Sequence, residues 1–95
     1  MSDPPEEFAA ARDYFNRGQF RAAREKLEDL VETYPNSANV NYMLGVIHFE
    51  SGELEEALPY FEKGADLEHD PQLQVWSRQY VDRIQYKINN ENEEP

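Results

Sequence analysis

The side chains with chemistry to offer are 20 carboxylates, 9 cationic groups and 2 histidines, and there is no cysteine. Without cysteine the chain has no disulfide, no thiolate metal site and no thiol nucleophile. His48 and His69 stand 21 residues apart with no repeated ligand spacing around them, and His48, in an otherwise apolar stretch, reads as a packing residue. The acidic runs Glu53-Glu55-Glu56 and Asp66-Glu68-His69-Asp70 supply oxygen ligands but lack the glycine-turned loop of a dedicated calcium site. They read as solvated helix surface, or as an attraction for a basic partner that weakens with salt. No nucleophile with an adjacent base, no phosphate-cradling glycine loop and no carboxylate pair in an evident cleft is present. The expectation is a non-enzymatic protein with neither metal nor cofactor.

Composition narrows the partners. The formal net charge of −11 repels the phosphate backbone that supplies most nucleic-acid affinity, so DNA, RNA and anionic membranes are excluded as expected partners. Three lysines against six arginines in so acidic a chain suggest a second reading, adaptation to high salt, where a short Debye length screens self-repulsion. Met1 to Glu7 has neither the basic start nor the apolar run of a secretion signal. The longest mostly apolar stretch, Tyr42 to Phe49, is far short of the roughly 20 residues of a membrane span. A soluble, cytoplasmic protein is expected, and 95 residues with 39% hydrophobic content build one domain.

These side chains must be positioned by a repeated element. A shift of 34 residues places Phe15 on Phe49, Gly18 on Gly52, Ala23 on Ala57 and Glu28 on Glu62. It also brings together similar residues where a helix hairpin must be small, bent or apolar: Phe8 with Tyr42, Ala11 with Gly45, Tyr14 with His48, Phe20 with Leu54, Leu27 with Phe61.

Each unit reads as two helices. Asp3-Pro4-Pro5-Glu6 is a helix start, with an acceptor, a proline at the first helical position and a glutamate three residues on, and it predicts a helix from about Pro4 to Arg17. Gly18 supplies the left-handed turn, and Phe20, Ala23, Leu27, Leu30 and Val31 carry a second helix, broken by Pro35-Asn36-Ser37. Ser37 then caps a third helix through Val40, Met43, Leu44 and Ile47. Gly52 turns into a fourth with Leu54, Ala57, Leu58, Phe61 and Ala65 on its apolar stripe. Pro59 predicts a kink, a late start, or a first turn that absorbs it. Asp70-Pro71 opens a last helix whose Leu73, Trp76, Tyr80, Ile84 and Ile88 form one apolar face, and the polar, acidic end from about Asn89 is expected to be disordered.

The second unit, from Asn41-Tyr42-Met43-Leu44-Gly45-Val46-Ile47-His48 through Gly52-Glu53-Leu54-Glu55-Glu56-Ala57 to Phe61-Glu62-Lys63, resembles the tetratricopeptide repeat. Leu44, Gly45, Gly52, Leu54, Ala57 and Phe61 match that family's pattern, while His48 replaces its tyrosine. The first unit matches at Ala11, Tyr14, Gly18, Phe20, Ala23 and Pro35, with Ala10 and Leu27 as weaker substitutes. Around Gly64 the pattern lapses and Pro71 arrives two residues late, so the fourth helix is expected to exceed the family's length. The resemblance implies an all-α fold, a right-handed α-α superhelix of two hairpins plus a C-terminal capping helix, five helices in all. Repeat one would span 4–37, repeat two 38–71, the capping helix 71–89 and a disordered tail 90–95. Two repeats are fewer than the three normally needed, so the capping helix must cover the second hairpin.

The same resemblance implies a concave groove lined by the first helix of each repeat. Phe8, Arg12, Phe15 and Asn16 would come from repeat one and Asn39, Tyr42, Val46, Phe49 and Glu50 from repeat two, with Phe15 and Phe49 also serving as packing between helices. Phe8, Arg12 and Tyr42 are the expected anchors of a partner's peptide or helix. Members that bind chaperone C-termini clamp the carboxylate with several donors, whereas those positions here hold Phe8, Arg12, Met43, Leu73 and Ser77. A lone arginine does not make that clamp, so the cochaperone role is set aside. The expected function is a protein-binding adaptor for an unidentified protein or peptide, and the alternative is a self-assembling module, a weak homo-oligomer.

Overall fold

A left-handed glycine ends each hairpin's first helix in the same way. In the computed structural model, which describes residues 5–66 and 70–91, Gly18 has φ 76° and Gly52 has φ 79°. The amide of Gln19 reaches the carbonyl of Tyr14 at 2.9 Å and that of Glu53 reaches His48 at 2.8 Å, closing carbonyls that the helix ends leave open. The elements are α1 (Pro5–Asn16), α2 (Phe20–Thr33), α3 (Ala38–Glu50), α4 (Leu54–Asp66) and α5 (Pro71–Glu91). No strand occurs among the described residues, and the arrangement is the expected all-α one of two hairpins and a C-terminal helix.

Helix starts follow their caps. The hydroxyl of Ser37 accepts from the Val40 amide at 3.2 Å, and Asn41 Nδ2 donates to the carbonyls of Pro35 (3.0 Å) and Ser37 (2.8 Å), tying the turn between hairpins to α3. Asp70 accepts from the amides of Gln72 and Leu73, which opens α5. The expected cap at Asp3-Pro4 lies outside the described residues, as do His69 and the segment 67–69 that a longer fourth helix would occupy. So do residues 92–95 of the expected tail, whereas 90 and 91 are helical.

Pro59 sits inside α4, which begins at Leu54, so neither a late start nor the first turn accommodates it. Pro59 has no amide to give the Glu55 carbonyl, and both residues lie on the exposed side of α4.

Each helix packs on its successor, and α5 also touches α3, giving a stack with dimensions of 48 × 28 × 20 Å. The central α3 is apolar on several sides because it serves two cores. Val40, Met43, Leu44 and Ile47 join Phe8, Ala11, Ala23, Leu27 and Leu30, while Val46 joins Ala57, Phe61 and Ile84. Small residues let the axes approach. A Cβ on Gly45 would stand 2.8 Å from the Phe61 ring, and one on Gly64 would stand 2.5 Å from Ser77 Oγ, so the region where the repeat pattern lapses is where α4 receives α5.

One expectation for α5 is corrected. Leu73 and Ile84 are buried and Tyr80 is half-buried, but Trp76 is 40% exposed, because the α4-facing stripe runs through Leu73, Ser77 and Ile84 and leaves Trp76 beside α3.

Candidate functional site

The side chains expected to line a groove lie on α1 and α3. On α1, Phe8 is only 8% exposed and belongs to the first core, and the Arg12 guanidinium lies over it, 5.8 Å from the ring centroid. Asn16 is exposed and Phe15 is half-buried at the edge of both cores. On α3, Val46 is buried, Asn39, Tyr42 and Phe49 are half-buried and Glu50 is exposed. Phe8 and Val46 are therefore core rather than free surface, and Arg12, Asn16, Asn39, Tyr42 and Glu50 retain contact with solvent.

Tyr42 is the point at which α3 meets α5. Its ring stands 5.8 Å from Phe61, 6.0 Å from Trp76 and 6.0 Å from Tyr80, while Tyr80 stacks on Phe61 at 4.3 Å and meets Phe49 at 5.1 Å. Burial, with the neighbouring Tyr80 adding to it, pushes the Tyr42 phenol above the ordinary tyrosine value.

Between α3 and α5 opens a cleft of about 240 Å3 lined by Tyr42, Trp76, Gln79, Tyr80 and Arg83. The Arg83 guanidinium lies 5.3 Å from the Tyr80 ring centroid and 5.9 Å from that of Phe49. Neither Arg12 nor Arg83 makes an ion pair among the described residues. The four α5 residues were not anticipated as site residues, because the last helix reads as a cap. The signal was present nonetheless: Trp76, Gln79, Tyr80 and Arg83 recur at helical spacing and mix aromatic with polar groups, unlike a purely apolar packing stripe.

His48 does more than pack. It is 5% exposed, stacks on Tyr60 at 5.5 Å with a 7° interplanar angle, and shares a 2.6 Å hydrogen bond between Nδ1 and Glu53 Oε1. The carboxylate accepts, so Nδ1 carries the proton. Glu53 also lies 3.7 Å from Arg24 Nη1 of α2, which links the turn after α3 to the first hairpin. This is a structural tie in the body of the stack, away from the cleft-lining residues. No cluster of three or more metal-ligating side chains occurs among the described residues, and none of their helices is long and apolar enough to cross a membrane.

Comparison with known proteins agrees with this architecture. No curated protein and no solved structure matches the chain. A family model described as tetratricopeptide repeat matches residues 8–71, which take in both hairpins. Repeats of this kind are protein–protein interaction modules whose stacked hairpins present an extended surface. The chain belongs to the tetratricopeptide repeat family.

Proposed function

We propose that this protein is a non-enzymatic adaptor that binds a segment of another protein along the face made by α1, α3 and α5. The observation that carries the reading is the aromatic cleft between α3 and α5, with Trp76 40% exposed beside Tyr42. Aromatic and arginine side chains are the usual anchors of an interface, and an indole left partly in water favours a partner that covers it. Arg12 over Phe8 supplies a second such pair on α1, with Asn16, Asn39 and Glu50 as flanking polar contacts.

The absence of cysteine makes the test direct, since an introduced cysteine can carry a photoreactive label at one chosen point. Labels at Arg12→Cys and Gln79→Cys are expected to cross-link a common partner from the native lysate, while a label at Glu32→Cys, exposed on α2, is not. Equal labelling from all three positions would overturn the reading.

A second reading, self-assembly, is favoured by Val75 and Tyr86, which are 51% and 69% exposed on α5. Sedimentation separates the two readings: a concentration-dependent dimer lost in Tyr86→Ser supports self-assembly, and a monomer at all concentrations supports the adaptor.

A further inference from the structure

We infer that the cleft between α3 and α5 selects a partner segment in which an apolar side chain is neighboured by an acidic one, the apolar group entering among Tyr42, Trp76 and Tyr80 and the carboxylate pairing with Arg83. This rests on the adaptor reading and adds the chemistry of the occupant.

Charge is the first argument. In a chain of net charge −11, α5 is the one described helix whose cations outnumber its carboxylates, with Arg78, Arg83 and Lys87 against Asp82 and Glu91. The Debye length at physiological salt is about 8 Å, so a segment seated in the cleft responds most to the charges nearest it, and Arg83 is the one ionised group among the residues that line the cleft. A basic segment placed there would face Arg83 at close range.

Geometry is the second argument. Arg83 is exposed, and the rings of Tyr80 and Phe49 hold its guanidinium at the cleft, where its donors have no carboxylate partner within the described residues. A preorganised guanidinium forms charge-assisted bonds with less loss of side-chain freedom than a free arginine. The cleft wall beside it is aromatic, and Gln79 adds an amide suited to a partner's backbone.

The alternative crevice on α5 lacks this combination. It is larger, about 450 Å3, but it is lined by Glu62, Ala65, Asp66, Arg78, Val81 and Asp82. There three carboxylates lie around one cation and no aromatic is present, so the lining is acidic on balance and has no ring for an apolar side chain to meet.

The chain's single tryptophan, Trp76, lies in the cleft, so its fluorescence reports occupancy without a label. Three blocked hexapeptides serve as probes in about 0.15 M salt: leucine and phenylalanine interleaved with glutamate, the same residues interleaved with lysine, and glutamate interleaved with serine. The glutamate–apolar peptide is expected to shift Trp76 emission saturably, and the other two to bind at least about tenfold more weakly. Arg83→Gln should lose about tenfold in affinity for the first peptide, and Arg83→Glu should reverse the preference toward the lysine peptide, with unchanged thermal melting as the check on folding. Equal or tighter binding of the lysine peptide to the unaltered protein overturns the charge assignment and leaves the adaptor reading standing. If neither apolar peptide shifts the emission, this inference falls, and the photolabelling pattern then decides separately whether the adaptor reading falls with it.

Discussion

At the scale of single residues, His48 and Tyr42 show how a small change of side chain alters what a position contributes. His48 occupies the place of the family's tyrosine, and its imidazole stacks flat on Tyr60 while its Nδ1–H reaches Glu53. A phenylalanine there would keep the stack and lose the bond. The coupling between His48→Phe and Glu53→Gln in a double-mutant cycle of unfolding free energies is expected at about 1 kcal/mol, and additivity would show the bond to be inert. Tyr42 carries a pH signature. Its folded pKa is raised above the ordinary 10.0, first by burial, so above that value the folded state holds a proton that the unfolded chain releases. Its contribution to stability is therefore undiminished below pH 10.0 and is lost as pH rises through the folded pKa. Thermal melts carried through that window should show a fall, and Tyr42→Phe should make it shallower.

At the scale of elements, the contacts between helices depend on residues that are small for opposite reasons. Gly45 is small because the Phe61 ring fills the space beside it, and that ring is fixed by Tyr80 and Tyr42. Gly45→Ala forces a clash that no flexible side chain relieves, and a loss of about 1–3 kcal/mol in chemical denaturation is expected. Ser77 is small because Gly64 lies against it, yet its hydroxyl is buried with no hydrogen-bond partner. An unsatisfied buried hydroxyl costs stability without adding contacts, so Ser77→Ala should be neutral or raise the unfolding free energy by up to about 1 kcal/mol. A clear loss in that variant would mean the hydroxyl has a partner in solution.

At the scale of the whole molecule, α5 is the element on which the second core depends. It brings Ile84, Tyr80 and Val81 onto Ala57 and Phe61, and the fully buried Ile84 alone contributes about 1.5–3 kcal/mol. A fragment ending at residue 71 would expose Phe61 and the α5-facing side of α3. It is expected to unfold or aggregate, read by circular dichroism and sedimentation, whereas a cooperatively melting monomer would show that two hairpins suffice. The same helix also forms one wall of the cleft, so α5 closes the core and completes the candidate site together.

The hairpins, their glycine turns and the Ser37 and Asp70 caps were legible in the residues themselves, because each depends on local backbone conformation or on neighbours within a few positions. The family pattern was legible too, since close packing demands small residues at fixed offsets. What the amino-acid order left open was which face of each aromatic stripe would be covered. Phe8 and Val46 went to the cores, Trp76 stayed partly exposed, and α5 became a wall of the cleft as well as a cap. Those outcomes depend on how α5 rotates against α3 and α4, which is decided by the fit of Ser77 on Gly64 and Tyr80 on Phe61, contacts between residues distant in the chain that helical periodicity does not encode.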